Sequence, residues 1–123
     1  MSDYRLGVLG GMGPQATNTF YQYIIDHTAA RTDQEHISML IFSDNGVPDR
    51  TAAILSGEEE PVYDRLLYGA KLLEQGGCTA IAVPCNTAHY FLDKVQEQIS
   101  IPILHMVREA CQVLASRGCH YPG

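Results

Sequence analysis

Three short stretches gather the side chains able to do chemistry: Gly10-Gly11-Met12-Gly13-Pro14, Val47-Pro48-Asp49-Arg50-Thr51 and Pro84-Cys85-Asn86-Thr87-Ala88-His89. Glycines let a backbone turn sharply and approach a ligand, and a helix starting just after them attracts an anion. Gly11 to Ala16 also fits G-x-G-x-x-A, a dinucleotide fingerprint, with the acid Asp44 downstream. Pro14, however, stands where a phosphate needs an N–H donor, so a tight strand-to-helix turn is the simpler reading. In the second stretch, the Arg50 guanidinium suits a carboxylate taken in bidentate fashion. A surface salt bridge is the plain alternative.

In the third stretch, Cys85 follows an apolar strand and stands at the mouth of a helix. The helix dipole and its free N–H groups favour a reactive thiolate there. Asn86 and Thr87 supply donors, so the thiol is placed to act on a carbon beside a bound carboxylate. The competing reading is a small buried residue flanked by Asn and Thr helix caps. Phosphatase chemistry of the C-x5-R type would need Arg where Phe91 stands. Cys85 and His89, four apart on a helix, could share a metal, but no further ligands are evident, so no metal is assigned. Cys78, Cys111 and Cys119 are read as structural, and Glu58 to Glu60 as a solvated helix start.

Strands and helices alternate around these stretches. Strands are expected at Arg5 to Leu9, Ile37 to Phe42, Thr79 to Val83 and Ile101 to Met106. The second of these is continuous and apolar, as in a strand buried on both faces. Helices are expected at Ala16 to Ala30, where Phe20, Ile24 and His27 or Thr28 share a face, at Glu58 to Gln75, at Thr87 to Gln98 and at Val107 to Arg117. Ser43 to Gly57 reads as a loop with a helical turn over Thr51 to Leu55. This order implies an α/β fold: a four-stranded parallel sheet with right-handed crossovers and helices on both faces. Ligands of such sheets bind beyond the carboxyl ends of the strands, where all three stretches fall.

Composition bounds the function. A chain of 123 residues, 46% hydrophobic and 18% charged, makes one soluble domain or one lobe of a larger protein. Eight basic against 14 acidic residues give a net charge of −6, which argues against nucleic acid or an anionic membrane as partner. No apolar run is long enough to cross a membrane. The N-terminal residues show no secretory pattern, and none of the four cysteines forms C-x-x-C. A reducing cytoplasm is therefore expected.

Taken together, Gly7 to Thr17 (GVLGGMGPQAT), Asp44 to Leu55 (DNGVPDRTAAIL) and Val83 to Phe91 (VPCNTAHYF) resemble the aspartate/glutamate racemase family, and most closely its aspartate racemase branch. The resemblance runs from about Leu6 to Ala115. It implies cofactor-independent racemisation of an acidic amino acid by two cysteines on opposite faces of the α-carbon, with neither pyridoxal phosphate nor metal. Cys85 matches the catalytic cysteine of the first lobe. Met12, Arg50, Thr51, Asn86 and Thr87 match residues that line the pocket or hold the substrate carboxylate. The resemblance also implies two similar lobes: residues 1–117 correspond to the first and 118–123 form an irregular tail. The chain is thus expected to be truncated, lacking the second cysteine, and to assemble as a homo-oligomer, a dimer. A non-catalytic carboxylate-binding remnant and a one-cysteine decarboxylase or isomerase of the same superfamily are the alternatives. The PDRT and GGMGP stretches favour the racemase branch over the latter.

Overall fold

A computed structural model describes residues 4–85 and 87–104 of the chain. Their order is β1 (Leu6–Gly10), α1 (Pro14–Asp26), β2 (Met39–Ser43), α2 (Arg50–Ser56), α3 (Glu60–Gln75), β3 (Ala80–Ala82), α4 (His89–Gln96) and β4 (Ile103–Leu104). The predicted helix over Val107 to Arg117, the tail, Cys111 and Cys119 lie outside the described residues.

Each helix begins and ends for a local reason. Pro14 lies in the first turn of α1, where its missing N–H costs nothing. At the other end, the Thr28 hydroxyl donates to the Ile24 carbonyl at 2.6 Å and competes with continued helical bonding. The helix therefore stops at Asp26 rather than at the expected Ala30. Asp49 caps α2 through a 3.1 Å bond from the Ala52 N–H, and Gly57, at φ +82°, closes it. Pro61 lies in the first turn of α3, and Gly76-Gly77 ends that helix as expected.

The four strands are parallel and ordered β2-β1-β3-β4. The connection from β2 to β3 must cross over β1, which puts α1 on one face and α3 with α4 on the other. Two cores record that division. Phe20 and Ile24 of α1 pack with Leu6, Val8, Ala80, Ala82 and Leu104. On the opposite face, Val62, Leu66 and Leu73 of α3 and Phe91, Leu92 and Val95 of α4 pack with Leu9, Ile81 and Ile103. Fully burying one such Leu contributes on the order of 2 kcal/mol. All five β1 residues are buried, as a central strand requires.

One expectation is overturned. The second strand is not buried on both faces: among the described residues it is the sheet edge, and Leu40 and Ile41 remain 38% and 36% exposed. Continuous apolarity signals a strand but does not say whether a neighbour covers it. The strand is also shifted, to Met39–Ser43. At the other edge, Gln96 secures β4, donating to the Ile101 carbonyl at 2.9 Å and accepting from the Ile103 N–H at 2.7 Å. No helix among the described residues is long and apolar enough to cross a membrane.

Candidate active site

Parallel strands end at a common edge. Gly10 pairs with Ser43 and Val8 with Ala82, so the segments after β1, β2 and β3 emerge side by side, that of β1 in the middle. Met12 follows β1 and is buried in one apolar cluster with Val47 from the β2 loop, Ala53 from α2 and Val83 and Ala88 from the segment after β3. Cys85 packs against the same cluster. All three chemistry-bearing stretches therefore contribute to one packed cluster.

The first turn is set by close approach. Gly11 has φ +95°, its N–H donates to the buried Thr17 hydroxyl at 2.9 Å, and a Cβ there would strike the Asp44 backbone. Asp44 is itself buried. The two oxygens of its carboxylate accept from Arg65, Nε at 2.7 Å and Nη2 at 3.1 Å, and one also accepts from the Gly46 N–H at 2.8 Å. Burial alone would raise the pKa of Asp44, but the Arg65 hydrogen bond, the Gly46 N–H and the Arg65 charge outweigh it and lower the value. This acid is committed to Arg65, which disfavours the dinucleotide reading in which it would receive a ribose. Arg65 was not singled out from the sequence. It lies 21 residues away on another element, and no local pattern links it to Asp44.

Arg50 is the first residue of α2 and half-buried. Its Nη1 donates to the Pro48 carbonyl at 3.2 Å, while its Nε is enclosed without an acceptor. Among the described residues it meets no carboxylate, so the surface salt bridge considered from sequence does not form. Thr51 follows it, exposed in the first turn of α2.

Cys85 is half-buried, with Sγ 3.3 Å from the Thr87 hydroxyl. Helix α4 begins at His89 rather than Thr87, and its N-cap is Ala88, which provides no side-chain cap. Thr87 therefore attends the sulfur and not the helix end, contrary to the capping alternative. The Cys85 N–H donates to the Val83 carbonyl at 2.8 Å, and His89 Nε2 reaches the same oxygen at 3.1 Å. His89 thus ties the first turn of α4 to the strand exit. Asn86 lies outside the described residues. No group of three or more His, Cys, Asp or Glu among the described residues could hold a metal ion. Cys78 is buried under α3, as read from the sequence, and burial pushes its thiol pKa up against the weaker opposing pull of Arg5.

The sequence profile described as Asp/Glu/hydantoin racemase matches residues 9–121. The chain is 34% identical over 108 residues to the broad specificity amino-acid racemase RacX of Bacillus subtilis (strain 168), a match covering 85% of this chain and 46% of that protein. Its fold is similar to that of Picrophilus torridus aspartate racemase, with a TM-score of 0.74 and 33% identity over 94% of this chain and 48% of the other. It is also similar to an aspartate racemase homologue from Pyrococcus horikoshii OT3, with a TM-score of 0.68 and 25% identity over 93% and 50% of the two chains. The chain spans about half the length of these relatives.

Proposed function

Because this chain belongs to the Asp/Glu/hydantoin racemase family, we propose that it supplies one half of a cofactor-independent amino-acid racemase site, with Cys85 as the proton-transferring thiol. The observation that carries this reading is the setting of Cys85: a half-buried sulfur beside the Thr87 hydroxyl, packed on the cluster that contains Met12. The proposed substrate is an acidic amino acid, aspartate or glutamate. The names of the relatives support the class, and the guanidinium of Arg50 offers its carboxylate a partner.

As thiolate, Cys85 removes the α-proton, and the C–H electron pair stays on the substrate. A thiol on the opposite face then delivers its own proton to that carbon and is left as thiolate. Configuration inverts, and the two sulfurs have exchanged protonation states. Neither pyridoxal phosphate nor metal takes part. An α-proton is very weakly acidic, so negative charge spreading into the carboxylate needs fixed donors. Arg50, Thr51, Asn86 and Thr87 are proposed to supply them, with Met12 lining the pocket. The setting assigned to this chemistry is the cytoplasm, where thiols stay free.

The test is α-proton exchange and chiral analysis of aspartate and glutamate in heavy water. The 123-residue chain alone is expected to show no interconversion, because one thiol serves one face only. Co-expression with the second lobe of a family member, carrying its own cysteine, should restore racemisation, and Cys85→Ala should abolish it. Robust racemisation by the isolated chain, or full activity of the Cys85→Ala assembly, would overturn the assignment.

A further inference from the structure

Strand β3 ends at Ala82, and the chain must turn within a few residues to enter α4 at His89. Cys85, Asn86 and Thr87 all lie inside that turn. Its two ends are firmly held. Strand β3 is buried and lies between β1 and β4, and Phe91, Leu92 and Val95 root α4 in the core. The Val83 carbonyl, at the start of the turn, receives two bonds: the Cys85 N–H at 2.8 Å and His89 Nε2 at 3.1 Å. A carbonyl oxygen has two lone pairs and can only accept, so both are used and the imidazole proton on this side stands on Nε2.

The bond from Cys85 closes a three-residue turn, Val83-Pro84-Cys85. The inverse form of such a turn wants φ near about −75° at its centre, and a proline ring holds φ near about −65°, so Pro84 suits the place. This bond sets the backbone of Cys85. The bond from His89 reaches back six residues and ties the far end of the loop to the same oxygen. Both ends of the loop thus converge on one atom, and within it Cys85 Sγ stands 3.3 Å from the Thr87 hydroxyl.

We propose that His89 is the positioning residue of the thiol: by clamping residues 84–88 onto the Val83 carbonyl, it holds Cys85 Sγ against the Thr87 hydroxyl. A thiolate only accepts, so that hydroxyl donates to it and favours the ionised form. Thr87 is exposed, and Ala88 offers α4 no side-chain cap that would fix the loop in another way. Without the clamp, the hydroxyl exchanges the sulfur for water. Proton transfer to or from carbon also needs aligned atoms, and a misplacement of about 1 Å can cost about 100-fold in rate. The consequence for racemisation rests on Cys85 being the proton-transferring thiol; the clamp itself does not.

Alkylation kinetics of the 123-residue chain test the clamp directly. His89→Leu should slow modification of Cys85 about fivefold near neutral pH, the factor that one hydrogen bond carries, while Cys78 stays protected and circular dichroism is unchanged. His89→Leu combined with Thr87→Val should be no slower than either change alone, because both remove the same contact. His89→Gln places an amide N–H at nearly the reach of Nε2 and should label at the wild-type rate. His89→Asn, one methylene shorter, should behave as His89→Leu, and it decides the matter if the leucine variant fails to fold. Wild-type or faster labelling of His89→Leu and His89→Asn, slowing that multiplies with that of Thr87→Val, or His89→Gln as slow as His89→Leu would overturn the proposal.

In a reconstituted two-lobed enzyme, His89→Leu should lower kcat about tenfold or more, and His89→Gln should restore most of it. An unchanged kcat would overturn the part of His89 in catalysis. If Cys85→Ala left that enzyme fully active, the racemase reading would fall, and the labelling rates would still judge the clamp.

Discussion

Arg65 holds Asp44 by two charge-assisted hydrogen bonds of 2.7 and 3.1 Å, joining helix α3 to the loop after β2. The same loop residue provides the backbone against which Gly11 packs. Asp44→Asn should lower stability by about 2 kcal/mol at neutral pH, since hydrogen bonds to charged groups are the stronger kind. The pKa of Asp44 is lowered on folding, so its contribution is present above its unfolded value, about 4. That contribution is lost as pH falls through the lower folded value. Denaturant melts at several pH values should show the gap between wild type and Asp44→Asn closing in acid. A gap independent of pH would refute this account.

Gly11→Ala should be among the most damaging single substitutions in the chain. It forces an L side chain to φ +95° and drives a methyl group into the Asp44 backbone. A loss of about 2 kcal/mol or more is expected in thermal unfolding. Gly13→Ala, where an added Cβ meets nothing within 4 Å, is the matched control and should cost less.

Brief alkylation near neutral pH, read by peptide mass spectrometry, should modify Cys85 before Cys78. Cys78 is 4% exposed and its thiol is held protonated by burial, whereas Cys85 is half-exposed beside a hydroxyl. Equal labelling would mean that Cys85 is an inert core residue. Thr87→Val, which keeps the shape and deletes the hydroxyl, should slow labelling of Cys85 about fivefold, the worth of one hydrogen bond of about 1 kcal/mol.

Arg50→Lys in a reconstituted two-lobed enzyme should raise KM for the acidic amino acid about tenfold without altering the fold. An ammonium cannot reproduce a planar, two-pronged grip on a carboxylate. Steady-state kinetics with circular dichroism as a control would check it. An unchanged KM would remove Arg50 from the site.

The alternation of apolar runs with amphipathic helices made the sheet and its two covered faces readable, because period and punctuation are local properties. The glycine turns, Pro14, Pro61 and Gly76-Gly77 marked helix limits for the same reason. Edge and centre were not readable. Ile37 to Phe42 is as apolar as Arg5 to Leu9, and only the order β2-β1-β3-β4 decides which strand is wrapped. The grouping of Met12 with Cys85 followed from strand ends sharing one edge. The pairing of Asp44 with Arg65 had no local signature, since it depends on how α3 crosses the sheet. Thr87 read equally well as a helix cap, and only the start of α4 at His89 gave its hydroxyl to sulfur.

Sheet order also governs when this protein can come into being on the ribosome. β1 is made first yet lies between β2 and β3, so its five buried residues gain their second neighbour only after residue 82 has emerged. Until then Leu6, Val8 and Leu9 have half a shelter, and the nascent chain holds a sticky, incomplete hairpinless sheet. Pairings so distant in sequence form slowly. Such a delay favours chaperone engagement over immediate folding.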